Sequence, residues 1–395
     1  MASADAEYFR GHTVRLSAVI DTTDTTGGAG LWLRADGEHG PVAFANSQAN
    51  DVRGTRADER REVSIAVPPD ATKLVFGALL QGDGDASFRH IVLERGDAID
   101  PASAGNATQE LEAAITLVKE QALRASTVDW DTLVPSLRAH VSENGWASEA
   151  YPAIKSLLGA LQDHHSHFVS REENRANRSG ENRWTPATVQ LHPDGIGYIA
   201  LPAFGSVDAR AANAYVAQVT GPLLQIQPQV RHGWIIDLRG DSGGNMWPMI
   251  GALKAFLGTG PLGYFKGREG LSAPWVAGLT LSVLPPIPNL GSVPLAVLTG
   301  PHTASAGEAV VIALHGRPHT RFFGAPTAGV PTGNRTLELP DGAAIALTTS
   351  VELDRSHTRY DGPIAPDVIT SSDGPGDAAL QAAQAWLLEA PRDTR

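Results

Sequence analysis

From about Trp184 to the C-terminus, short, continuously apolar runs alternate with stretches of helical periodicity. That alternation restricts this half of the chain to a layered α/β arrangement. Ile196-Gly-Tyr-Ile-Ala-Leu201, Trp234-Ile-Ile-Asp-Leu238 and Pro294-Leu-Ala-Val-Leu-Thr299 read as strands. A strand covered on both faces needs such unbroken apolar character. Asp208 is an N-cap for a helix that runs to about Thr220, where Gly221-Pro222 stops it. Met249 to Leu257 and Ala306 to Leu314 read as helices, Arg321-Phe-Phe and residues 343–349 as strands. Ala378 to Leu388 closes the chain as a helix.

The 395 residues are too many for one ordinary domain, and the first half reads differently. His12 to Ile20 alternates polar and apolar residues; Leu31 to Arg34, Arg61 to Val67, Leu74 to Leu80 and Phe88 to Glu94 follow, separated by Gly/Asp/Pro turns. Short strands so punctuated predict a jelly-roll-like β-sandwich over 1–97. Gly96 to Gly105 has linker composition. A helical segment over 104–175 comes next, its first helix carrying Leu111, Ile115, Val118 and Leu123. The second begins at Asp131 as N-cap, with Leu133, Leu137 and Val141 on one side; the third runs from Ala153 to Leu161 and ends at Asp163-His-His-Ser-His-Phe168. Ser170 to Arg183 is polar and reads as a lid-like loop. Residues 184–395 form the expected α/β core.

The net charge is −12, and no cluster of Lys or Arg interrupts it, which argues against nucleic acid or an anionic membrane surface as partner. There is no Cys, hence no thiol nucleophile, disulfide or thiolate metal site. No segment approaches the ~20 apolar residues of a membrane span. The N-terminus has neither the basic start nor the apolar stretch of a secretory leader, so a cytoplasmic location is expected.

Three segments carry chemistry. In Pro294-Leu-Ala-Val-Leu-Thr-Gly-Pro-His-Thr-Ala-Ser-Ala-Gly-Glu308 a buried strand ends, a Gly-Pro turn follows, and small residues lead into a helix. A Ser there stands exposed at the positive end of a helix dipole, as an oxygen nucleophile requires; the alternative is that Ser305 or Thr303 merely caps the helix. In Trp234-Ile-Ile-Asp-Leu-Arg-Gly-Asp-Ser-Gly-Gly-Asn245 a strand runs into a glycine turn whose bare amides suit an anion, though without the Lys-Ser/Thr of a phosphate loop. The third is Asp163-His164-His165-Ser166-His167. Adjacent histidines without the i, i+4 spacing make a poor metal set, so a His acting as base for a Ser elsewhere is the better reading. No metal and no cofactor are expected.

Together these segments resemble the S41 peptidase family of carboxyl-terminal processing proteases, tricorn protease and a retinoid-binding relative. The resemblance rests on Asp237-Leu-Arg-Gly-Asp-Ser-Gly-Gly, where the family pattern has Asn in place of Asp241, on Thr303-Ala-Ser-Ala-Gly-Glu308, and on Leu161-Gln-Asp-His-His-Ser. Phe323-Gly-Ala-Pro-Thr-Ala-Gly329, Leu339-Pro-Asp-Gly-Ala343 and Ile364-Ala-Pro-Asp367 extend it over roughly 105–390. It implies a crotonase-like core, Ser305 as nucleophile, His165 as general base, and an oxyanion hole from the amides of Ala306 and of Gly243 or Gly244.

No Lys follows Lys266, which excludes the Ser/Lys pair of the processing proteases and leaves the Ser/His type of tricorn. In that type an acidic residue orients the His; Asp361 is the nearest candidate here, with Asp354 and Glu352 as rivals. No PDZ-like module is evident. The implied substrate is a peptide or a related acyl compound. Ester, lactone or acyl-cyclising chemistry at the same site, or a binding-only role, are the alternatives, because fold and triad do not dictate the acyl group. The oligomeric state is not indicated.

Overall fold

The computed structural model describes residues 1–48, 51–99, 105–143, 145–179, 184–277, 288–370 and 376–389. It divides into two compact units, one of residues 1–175 with 335–347 and one of residues 176–334 with 348–395. The strand-rich N-terminal region and the helical segment therefore share a unit, joined there by thirteen residues from late in the chain. Half of the linker predicted between them, residues 100–104, lies outside the described residues.

In the first unit, His12–Gly37 is one long strand rather than two short ones. Residues 12–29 pair with Val52–Val67, residues 12–23 with Asp85–Ala98, residues 28–36 with Lys73–Gln81 and residues 32–37 with Gly40–Asn46. Hydrogen bonds thus join all six N-terminal strands, four of them paired directly to this strand and Ala2–Asp5 through Lys73–Gln81. Register shifts between Ile20 and Ala29 mark where it bends, as bulges do. Its inward residues Val14, Leu16, Ile20, Leu31 and Leu33 are buried in one core.

The helical segment packs separately around Leu111, Ile115, Ile154 and Leu157, together with Leu339, Ile345 and Leu347. The N-cap of the second helix is Asp129, not Asp131: its carboxylate accepts from Thr132 N, and the helix is Trp130–Arg138. The polar stretch after Ser170 is helical over Arg171–Ser179. Ser170 Oγ accepts from Glu173 N, and buried Asn174 donates to the Gly342 carbonyl, so caps and one anchored amide outweigh a sequence with no apolar face.

The second unit is built on a six-stranded sheet, in order 368–369, 320–324, 295–299, 234–237, 197–200 and 188–191. The pairs are parallel except the last. Alternate residues point to opposite faces. Trp234, Ile236, Leu295, Val297 and Phe322 join one core with the helices Ala209–Ile226 and Ala306–Leu314. Ile235, Ala296, Leu298 and Phe323 join another with Ala378–Glu389. Asp208 caps its helix as expected, accepting from Arg210 N and Ala211 N. That helix, however, passes through Pro222 to Ile226. Burial of Val219 and Leu223 along one face offsets the ~3 kcal/mol that an interior Pro costs.

Candidate active site

Two neighbouring parallel strands, Trp234–Asp237 and Leu295–Thr299, end side by side at the carboxyl edge of the sheet, where open α/β sheets place their ligands. Each runs into a turn, and the two turns are bonded together. Thr303 Oγ1 donates to the Leu238 carbonyl at 2.9 Å and accepts from Gly300 N. Ala304 N donates to the Asp241 carbonyl at 3.0 Å.

Ser305 sits at the start of its helix with φ 52° and ψ −115°, a left-handed backbone that a β-carbon disfavours. Such strain costs on the order of 1–3 kcal/mol and persists only where the surroundings over-determine it. Here they do. Ser305 N donates to Glu308 Oε2 at 2.9 Å, and the same buried carboxylate accepts from Thr327 Oγ1, Gly329 N and Val330 N. Glu308 therefore clamps the serine turn to the segment Thr327–Val330. Ala328 N reinforces the clamp by donating to the Thr303 carbonyl.

The glycine turn lies against this elbow. At Gly243, with φ 102°, an added Cβ would stand 2.8 Å from Ser305 Cβ and 3.1 Å from Ala306 N. At Gly244 it would stand 2.3 Å from the Phe204 carbonyl oxygen. Both positions need glycine for closeness as well as for φ. The Gly243 N–H is committed to Asp241 Oδ1 at 2.9 Å. The N–H groups of Gly244 and Ala306 have no hydrogen-bond partner among the described residues. Asp241 is fully buried, and its Oδ2 meets no donor. Burial raises its carboxyl to about 7, against the lowering effect of the Gly243 N–H.

His165 belongs to the first unit, in the loop after the helix Tyr151–Gly159. Asp163 shapes that loop: one carboxylate oxygen accepts from His165 N and Ser166 N, the other from Ser166 Oγ. Gln162 and His164 take positive φ, and the Arg124 guanidinium holds the Gln162 carbonyl. Burial, with the neighbouring His167, lowers the His165 imidazole to about 4, and the Asp163 charge only partly opposes this.

Ser305, Ala306, Gly243 and Gly244 are thus brought together in the second unit. Asp361 is not part of that group. It is exposed and ion-paired with Arg359. Its rivals are buried: Asp354 accepts from Ser356 N, Thr358 N and the Tyr360 hydroxyl. Glu352 is pushed well above the usual carboxylate range by burial and by Glu308. Among the described residues no group of three or more metal-ligating side chains is gathered.

Sequence reasoning missed Glu308 as a clamp, although its position three residues after Ser305 is a capping-box signal. It also missed Arg239, which bridges Asp237 to Asp377 ahead of the C-terminal helix.

Residues 195–370 match the profile of peptidase family S41. The chain is 26% identical over 233 residues to the nisin-resistance protein of Lactococcus lactis subsp. lactis, covering 57% of this chain and 71% of that protein. It is 29% identical over 212 residues to the carboxyl-terminal-processing protease of Synechocystis sp., covering 50% of this chain and 46% of that one. This second match therefore spans less than half the length of the processing protease. A solved lipoprotein from Streptococcus agalactiae superposes with a TM-score of 0.63 at 26% identity, covering 72% of this chain and 96% of that chain.

Proposed function

We propose that this chain, residues 195–370 of which match the profile of peptidase family S41, is a serine-type peptidase of that family and cleaves peptide bonds through an acyl-enzyme at Ser305, with His165 as general base. The observation that carries this reading is the strained Ser305 elbow, flanked by two uncommitted amides, Gly244 N–H and Ala306 N–H. Such a pair suits a developing oxyanion, because fixed donors need no reorganisation as charge appears. Gly243 is a spacer in this reading, since Asp241 already holds its N–H.

In the first half-reaction Ser305 Oγ bonds to the scissile carbonyl carbon while its proton passes to His165. The tetrahedral oxyanion rests on the two amides. His165 then gives the proton to the leaving nitrogen, the C–N bond breaks, and an ester on Ser305 remains. Water, losing a proton to the same base, hydrolyses the ester and restores the hydroxyl. A His165 held neutral down to low pH is ready to accept that proton throughout the neutral range.

Asp163 fixes the backbone of the base loop, whereas exposed Asp361, paired with Arg359, is poorly placed to hold an imidazole. The parallel sheet with the serine turn at its carboxyl edge supports a crotonase-like layout for the second unit. Relatives named for carboxyl-terminal processing favour a peptide over an ester or lactone.

Treatment with a fluorophosphonate probe and mapping of the adduct tests the proposal. Label on Ser305, abolished in a folded Ser305→Ala variant, is the expected result. Adduct on Ser242 or Ser166 instead, or no adduct at all, would overturn it.

A further inference from the structure

The first unit holds a cavity of about 300 Å³ that the peptidase chemistry does not use. One wall comes from the N-terminal sheet, through Val42, Phe44 and Ile65; the other comes from the helical segment, through Trp146, Tyr151 and Phe168. The volume is at the low end of the range for small-molecule sites, about 300–1,000 Å³, and suits one ring with a short chain. Aromatic and aliphatic side chains make up part of the lining, and Ser148, Ser170, Lys155, Arg171, Glu173 and Asp341 add polar groups to it.

Two cations line the same cavity. Lys155 Nζ lies 5.5 Å above the Phe168 ring, and Arg171 lays its stem alongside Gly342. Among the described residues neither has a carboxylate within ion-pair distance. Lys155 is exposed, yet partial desolvation and the nearby Arg34 guanidinium hold its ammonium below its usual pKa, and no anion offsets either.

The lining also carries two acids. Asp341 is already occupied: Tyr151 donates to one oxygen and Ala343 N to the other. Beside it Glu110 is raised well above the usual carboxylate range by burial and by the neighbouring Asp341 carboxylate, against the lowering effect of the Asp341 N–H that it accepts. Glu173 is exposed. Lys155 and Arg171 are exposed as Glu173 is; what sets the two cations apart from Asp341 is that neither has a hydrogen-bonded partner among the described residues.

We propose that this cavity binds a small amphipathic carboxylate, its ring or chain between Phe44, Ile65 and Phe168 and its carboxylate on Lys155 and Arg171. An anion there would supply the counter-charge that these two side chains lack, and Arg could engage it in bidentate fashion. The apolar body would cover side chains from both walls. The ligand would thereby tie the strand-built region to the helical segment within the unit.

Isothermal titration of the full chain with three matched probes tests this: 4-phenylbutyrate, 4-phenylbutyramide and 4-phenylbutylamine. The carboxylate should bind at least about tenfold more tightly than the amide, the scale expected for a charge-assisted hydrogen bond, and the amine should not bind. Lys155→Met and Arg171→Gln, made separately so that one folding failure is not decisive, should each erase the preference without affecting the amide. Lys155→Arg should keep it. Equal affinity for carboxylate and amide, tighter binding of the amine, absence of binding by all three, or a preference that survives both substitutions would overturn the proposal.

Discussion

The backbone N–H of Ser305 is held by the carboxylate of Glu308, three residues further on, at 2.9 Å. This bond keeps the elbow in a conformation that a serine would otherwise leave, and it makes Glu308 the hub of four donors. Since the carboxylate is buried, truncating it strands those donors without water to replace it.

Glu308→Ala should therefore destabilise the protein by about 3 kcal/mol or more, several unsatisfied donors at ~1–3 kcal/mol each being the basis. Glu308→Gln keeps the acceptor oxygen on one side only and should fall between. Denaturant unfolding measures the stability, and the rate of phosphonate labelling at Ser305 reports the elbow. Labelling should slow roughly 100-fold in Glu308→Ala, the loss typical of a misplaced oxyanion arrangement. Wild-type stability and labelling in the alanine variant would remove the clamp from the argument.

Asp241 stands where the family pattern has Asn, and burial raises its carboxyl to about 7. Tyr215 is the titratable neighbour that feels its charge. The folded-state value lies above the unfolded value of about 4. The native fold thus binds the proton more tightly, and stability falls as pH rises from about 4 to about 7, then levels off. A charge on Asp241 would also oppose an oxyanion on Gly244 and Ala306. On this basis kcat/KM for a peptide substrate should decline above about pH 7, by up to ~tenfold per unit. Asp241→Asn should flatten both curves. A decline that persists unchanged in the variant assigns it to another group.

His165 gives a second pH signature. Its folded-state value of about 4 lies below the reference of ~6.5, so its contribution to stability is complete above about 6.5 and is lost as pH falls toward 4. The acid limb of kcat/KM should accordingly sit near 4 and not near the reference value. His165→Ala should lower kcat by about 10³ or more, His167→Ala far less, and His164→Ala by an intermediate amount. Because a charged His167 lowers His165, His167→Ala should also move the acid limb upward. Equal losses at all three positions, with zinc restoring the wild type, would favour a metal site instead.

Much of the architecture was legible in the sequence because it follows from periodicity. The apolar runs at Trp234–Asp237 and Leu295–Thr299 are strands because only a sheet covered on both sides buries every residue of such a run. The helix Ala306–Leu314 follows from its composition, and Asp208 from its capping oxygen. The serine, glycine and histidine segments were recognisable because their chemistry depends on local backbone form. The N-cap two residues earlier at Asp129, the helix after Ser170 and the passage through Pro222 were less visible. There, single side-chain bonds or buried faces decide between alternatives that local propensity leaves nearly balanced.

Sequence alone, then, determined the strand and helix order of the second half, the serine and glycine turns, and that no Lys follows Lys266. Tertiary structure decided which amides near Ser305 are committed and which are uncommitted, and that Glu308 ties the elbow to Thr327–Val330. It also decided that Asp241 and His165 are shifted in opposite senses, and that Lys155 and Arg171 meet in one cavity. The physical reason is common to all of these. Hydrogen-bond occupancy and desolvation depend on which atoms far apart in the chain come within a few ångströms, and no local pattern encodes that distance.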